Sequence, residues 1–243
     1  MSVLTIQGLR VSVGNREVVR GLDLTMRSGE VHVIMGPNGS GKSTLAHALA
    51  GHPGYHVTGG TAEIDGVSLL DLSPTDRVRH GLFLALQQPI EVPGVRLADV
   101  LRAAGVEADG LDARIRAEAE RVGLRPDLLR RFMNVDLSGG ERKRAEVVQF
   151  ALLRPAFALF DEVDSGLDVD ALGAVARRLA ASAQEWGCGV LVITHFARLL
   201  HDLTPTAIHV VRVGQIVTTG GPELAAVLER EGYEPFGVPA SDA

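Results

Sequence analysis

The tightest constraint on this chain is residues 31–51, VHVIMGPNGSGKSTLAHALAG, where the pattern changes from strand to helix across one glycine-rich loop. Val31–Met35 is more uniformly apolar than the segments before it, as a strand buried on both faces should be. Between that strand and the helix, Gly36–Ser43 matches G-x-x-x-x-G-K-[ST] in the context the motif requires. Its glycines let the backbone close around an oxygen cluster, with amide hydrogens pointing inward and a helix dipole behind them. Gly36, Pro37, Asn38, Gly39, Ser40, Gly41, Lys42, Ser43 and Thr44 are therefore the candidate phosphate cradle. Lys42 is expected to reach the β and γ phosphates, and the Ser43 hydroxyl suits a magnesium ion, which takes oxygen ligands.

A second apolar strand, FALFDE at 157–162, ends in two acids. Asp161 emerges at the C-terminal end, where an α/β sheet places its ligands, and is expected to hold hydrated magnesium through water. Glu162, one residue farther, is the candidate to orient a water for in-line attack on the γ phosphate. The strand GVLVITH brings His195 to the same sheet edge, where it would hydrogen-bond the γ phosphate or the attacking water. His32, His52 and His209 have no such position and read as structural or surface groups. Gln87 is the carbonyl-bearing candidate for magnesium once a triphosphate is bound, with Gln88 beside it as the alternative.

The rest of the chain reads as an α/β core with an insertion. Residues 1–35 read as strand and turn, mostly alternating, with turns at Gly14-Asn15 and Ser28-Gly29. Ser73, Pro74 and Asp76 form a helix start. Residues 94–136 are a broken series of short amphipathic helices, the principal part of a helical subdomain set between core segments 1–93 and 137–243. A helix over Gly139–Leu153 follows, then a helix ended by Gly187, and a hairpin around Gly214-Gln215 closes the core.

Composition narrows the class. No run approaches 18 apolar residues, so no membrane insertion is expected, and the N-terminus lacks the apolar core of a signal peptide; the cytoplasm is the expected compartment. The net charge of −6 and an aromatic content of 4% argue against a nucleic-acid platform. The lone Cys188 excludes an intrachain disulfide and reads as a small buried residue at a strand entrance.

Phosphate loop, glutamine, LSGGE (137–141), FALFDE, SGLD (165–168) and VITH, in that order, resemble the ATP-binding-cassette ATPases across essentially the whole chain. The resemblance implies a P-loop NTPase cassette with an N-terminal antiparallel β subdomain and an inserted helical subdomain, hydrolysing ATP with Mg2+. It also implies that Ser138, Gly139, Gly140 and Glu141 contact the ATP of a second copy, head to tail, with Ser165, Gly166, Leu167 and Asp168 along the interface. Such ATPases often stack an aromatic residue on adenine. Here no Phe, Tyr or Trp precedes Tyr55, and Val13 and Arg16 take that place.

A narrower resemblance lies in GGERKRAEVVQ, PIEVPGV and DSGLDVDAL, which are similar to the SufC family, soluble ATPases of the SUF iron–sulfur cluster assembly system. That implies SufB- and SufD-like scaffold partners, with the cluster forming on them. The ATPase subunit of a membrane transporter is the alternative. Lys143, three residues past Gly140, either latches Glu162 away from water or belongs to a solvated basic face.

Overall fold

The computed structural model describes residues 1–85, 87, 89–194 and 199–237. Strands β1 (Val3–Val13) and β2 (Arg16–Arg27) pair antiparallel around Gly14–Asn15, alternating buried and exposed side chains over much of their length. β3 (Val31–Met35) is buried throughout and runs into the glycine loop and α1 (Lys42–Ala50). β4 (Tyr55–Ile64) and β5 (Val67–Ser68) return beside β1, making a four-stranded antiparallel sheet in the order β2-β1-β4-β5. α2 (Pro74–Arg79) begins as its residues dictate, with the Asp76 N–H donating to Ser73 Oγ at 3.2 Å.

After β6 (Leu82–Ala85) come β7 (Val92–Arg96), α3 (Leu97–Ala103), α4 (Leu111–Arg121), a 3-10 turn over Pro126–Arg130 and β8 (Phe132–Met133). The helical series expected here is thus bracketed by a ribbon, in which Val92 pairs with Met133 and Arg96 with Phe132. A two-residue strand has no periodicity of its own, so nothing local announces it. Arg178 ties this insertion to the core, donating from a buried position to Glu118 of α4 at 2.6 Å.

The second half runs α5 (Gly139–Leu153), β9 (Phe157–Asp161), α6 (Val169–Glu185), β10 (Gly189–Ile193), α7 (Leu199–Leu203), β11 (Ala207–Arg212), β12 (Gln215–Gly220), α8 (Glu223–Glu231) and a last 3-10 turn, Glu234–Phe236. The closing hairpin turns at Val213–Gly214, one residue earlier than expected. Both residues have positive φ (48° and 81°), and Gln215 already pairs with Arg212. Two left-handed residues match the twist of a tight hairpin, and that requirement overrides the loop-like look of Gln215.

The second sheet has six strands in the order β12-β11-β3-β10-β9-β6, parallel except for β12. Its central strands β3, β9 and β10 are buried along their whole length and mostly apolar because both faces are covered. Val33, Ala158, Phe160, Val190 and Val192 pack into a cluster with α5 and α6. Ile34, Phe157, Leu159, Leu191 and Ile193 pack with α1 and the antiparallel sheet. Ile193 lies opposite Ile34 on one side and Asp161 on the other, so β3, β9 and β10 end together. That common edge is the crevice where open α/β sheets hold ligands. Cys188 is buried at the entrance to β10, its thiol pushed up to about 12 by burial. No helix among the described residues is long and apolar enough to cross a membrane.

Candidate active site

The loop after β3 is held closed by its own lysine. Lys42 is 5% exposed, and its Nζ donates to the carbonyls of Gly36 and Pro37, each at 2.8 Å. Burial lowers its pKa to about 8, partly opposed by the negative charges of Glu162 and Asp161. Gly36 is required on steric grounds: at φ 153°, a Cβ there would lie 2.2 Å from the Val211 carbonyl oxygen. The helix beyond, α1, starts at Gly41 with no side-chain cap. Its first amides are left for another acceptor.

Ser43 and Asp161 meet across the crevice, with Ser43 Oγ donating to Asp161 Oδ1 at 3.0 Å. Asp161 Oδ2 is buried and has no hydrogen-bond partner. Burial raises the pKa of this carboxyl above the usual range. An orphaned carboxylate oxygen beside a hydroxyl is a donor set that fits a magnesium ion, whose charge would restore the ionised form.

Glu162 sits in the left-handed region at φ 51°, a costly place for a branched-chain-free but non-glycine residue. Its main chain is fixed on both sides: its N–H donates to the Ile193 carbonyl at 3.0 Å, and its carbonyl accepts from the Ser165 N–H at 3.2 Å and from Lys143 Nζ. Lys143 is buried, so it belongs to no solvated face. Its described bond reaches the main chain of Glu162, which is a different grip from the expected one on the carboxylate. The carboxylate Oε2 accepts instead from Gln87 Nε2, so Gln87 stands beside Glu162 here. His195 and Gln88 lie outside the described residues.

Asp164 and Thr194 had no signal in the sequence, yet they link two loops of the site, Thr194 Oγ1 donating to Asp164 Oδ2 at 2.6 Å from buried positions. Tyr55 was also missed as a neighbour of Val13: the two pair across β1 and β4, and the Tyr55 ring stacks on His47 at 4.9 Å. Val13 and Arg16 pair at the exposed tip of the β1–β2 hairpin. His32 and His209 are buried and share a 3.1 Å hydrogen bond between β3 and β11.

The second glycine motif opens α5. Ser138 Oγ accepts from the Glu141 N–H at 3.3 Å, and Glu141 Oε2 accepts from the Ser138 N–H and hydroxyl, both at 2.8 Å. This is a reciprocal capping box. Ser138 and Gly139 are exposed, whereas Gly140 faces Gly166, whose carbonyl would stand 2.8 Å from an added Cβ. Ser165, Gly166 and Asp168 are exposed, Leu167 is half-buried, and Asp168 Oδ1 caps α6 through the Ala171 N–H at 2.8 Å.

With this arrangement in view, the comparisons decide the family. The ABC transporter family model matches residues 19–165. The chain belongs to the ABC transporter ATPase family. This ATPase is 44% identical to a probable ABC transporter ATP-binding protein of Streptococcus pyogenes, over 96% of the chain and 94% of that relative. It is also 44% identical to a probable ATP-dependent transporter, ycf16, of Cyanophora paradoxa, over 96% and 93%. Its fold is that of an ATP-binding subunit of an ABC transporter, at TM-score 0.78 and 22% identity over 98% and 96% of the chains. A dimeric ATP-binding cassette in a post-hydrolysis state, bound to ADP and phosphate, superposes at TM-score 0.76 and 19% identity over 90% and 98%.

Proposed function

We propose that this ATPase binds ATP with magnesium at residues 36–44 and hydrolyses it when a second copy closes head to tail over the triphosphate. The observation behind this reading is the placement of the second glycine motif. Ser138 and Gly139 lie exposed at the start of α5, and among the described residues no hydrogen bond joins them to residues 36–44. A phosphate-binding type of helix start facing solvent suits the nucleotide of another chain. A cassette of the same fold has been solved as a dimer bound to ADP and phosphate, which fits the participation of a second copy.

Phosphoryl transfer is mainly positioning and charge stabilisation, and the residues divide accordingly. Lys42 leaves the Gly36 and Pro37 carbonyls to neutralise the β and γ phosphates. Ser43 and Asp161, the latter through water, hold magnesium, with Gln87 joining them when it leaves Glu162. The metal supplies charge stabilisation to the phosphate oxygens. Glu162 accepts a hydrogen bond from the attacking water and aims it, His195 contacts the γ phosphate or that water, and Val13 and Arg16 border the base. Glu162→Gln tests the central assignment: ATP binding is retained and turnover falls, and near-normal turnover would refute it.

The partners proposed are SufB- and SufD-type scaffold proteins in the cytoplasm, with ATP hydrolysis driving their rearrangement during iron–sulfur cluster assembly. GGERKRAEVVQ, PIEVPGV and DSGLDVDAL support this reading, and a single buried cysteine leaves cluster ligation to the partners. A second reading, the ATPase subunit of a membrane transporter, is favoured by the printed names of the relatives. A pull-down from cells co-expressing the neighbouring genes separates them. Scaffold proteins that raise ATP turnover support the first reading, and a membrane-spanning partner overturns it.

A further inference from the structure

The phosphate loop is braced from outside by the C-terminal quarter of the chain, well beyond the residues the family model matches. Two contacts do this, one at each end of the loop. At the root, the Gly36 N–H donates to the Tyr233 hydroxyl at 3.1 Å. Near the helix, the Gly214 N–H donates to the Ser40 carbonyl at 2.8 Å. Gly214 approaches so closely that a Cβ would lie 2.1 Å from the Val18 carbonyl oxygen.

The Tyr233 contact has a specific consequence. Gly36 is the first residue to leave β3, so its N–H has lost the regular ladder while still lying against the protein. Tyr233 supplies the acceptor. Its ring packs on the main core cluster, and α8 ahead of it is anchored there by buried Leu224 and Leu228. The same Gly36 peptide offers its carbonyl to Lys42 at 2.8 Å. One peptide unit is therefore held at its N–H by the C-terminal segment and touches the phosphate-seeking lysine through its carbonyl.

We infer that Tyr233 is a positioning residue for the triphosphate, fixing the Gly36 peptide so that the nucleotide-free loop keeps the shape that receives phosphate. This rests on the reading that residues 36–44 bind ATP. Loss of the hydroxyl leaves a buried N–H without an acceptor and lowers the share of chains with a competent loop, which weakens apparent affinity in proportion. Tyr233→Phe keeps the ring and its packing while deleting the acceptor. The expected result is an ATP dissociation constant raised about 5- to 10-fold, with kcat at saturating ATP unchanged. A merely structural tyrosine would lower the melting temperature and leave affinity alone.

The test is calorimetric titration of the intact wild-type and Tyr233→Phe chains with MgATP, beside NMR hydrogen exchange at the Gly36 amide. Weakened binding at a temperature where the thermal melt shows the variant fully folded supports the inference. Binding within twofold of wild type overturns it. The exchange measurement needs no nucleotide and no variant: a Gly36 amide in the wild-type protein exchanging as fast as an exposed one also overturns it. Wild-type protein that fails to bind MgATP, with Gly36 protected, would instead overturn the ATP-site reading and leave Tyr233 a positioning residue for nothing but the loop, which overturns its role in the triphosphate site.

Discussion

Two helices of this ATPase begin behind paired or clustered glycines, and they treat their N-termini in opposite ways. α1 follows Gly41 without a side-chain cap, and its loop is filled by a buried lysine that donates to the loop's own Gly36 and Pro37 carbonyls and, at 3.5 Å, to the Ser40 hydroxyl. α5 follows Ser138 with a complete capping box, in which Glu141 already occupies the positive end. The first start is an anion site in waiting; the second is self-satisfied and exposed. Like motifs in the sequence therefore differ in what holds them before a ligand arrives. The P-loop must release a cation, whereas the signature must share or give up a carboxylate.

The largest effect should come from Glu162, which belongs to neither helix start and which we propose aims the attacking water. Glu162→Gln is expected to reduce kcat about 100- to 10,000-fold with ATP affinity within a few fold of wild type. Single-turnover measurement at saturating MgATP checks this, and a loss confined to KM would point to a binding role instead. Lys42→Ala should act on the other quantity, weakening ATP binding on the order of 100-fold by removing a charge-assisted contact. Equilibrium titration with a fluorescent ATP analogue reads it; an unchanged dissociation constant would mean that the loop amides alone hold the triphosphate.

The lysine gives the first helix start a pH dependence on the alkaline side, whereas the second responds on the acid side, where the Ser138 hydrogen bonds hold the Glu141 carboxyl below its usual range. The lysine's pKa falls from 10.5 in the unfolded chain to about 8 in the fold. Between those values the unfolded chain binds the extra proton, so this group costs stability below pH 8 and the cost disappears as pH rises through the window. Triphosphate binding runs the other way, because the cation is lost as pH passes 8. ATP affinity should drop about tenfold from pH 7 to pH 9, with net proton uptake on binding at the upper end. Calorimetry in buffers of differing ionisation enthalpy would expose a flat profile, which contradicts this account. The smallest effect belongs to the signature: Ser138→Ala should cost about 1 kcal/mol of stability through the lost cap. A thermal melt of the nucleotide-free chain reads that loss, and an unchanged midpoint would show that Glu141 caps α5 by itself.

Much of this was legible in the residues because it is local. Val31–Met35 is a strand buried on both faces, α5 runs from Gly139 to Leu153, and Ser73 caps α2, each from a pattern within a few positions. The ribbon of β7 and β8, the turn at Val213 and the burial of Lys143 were not, since each depends on a neighbour distant in sequence. The same holds at the site. Motif spacing singled out Lys42, Ser43, Asp161 and Glu162 for the proposed site, whereas Gly214 and Tyr233 carry no motif and enter only through what they touch.

By itself, then, the sequence determined which groups can meet a phosphate: a glycine loop after a buried strand, a lysine and a hydroxyl in it, and two acids at the end of a parallel neighbour. Periodicity and spacing encode those because strand, turn and helix are short-range structures. Only the tertiary structure decided how the groups are held. Lys42 rests on the Gly36 and Pro37 carbonyls, Gln87 on Glu162, and the Gly36 amide on Tyr233. The lysine's bonds stay within one loop, but the other two join segments 75 and 197 residues apart, form only when the tertiary fold brings those segments together, and lie in no short window of residues.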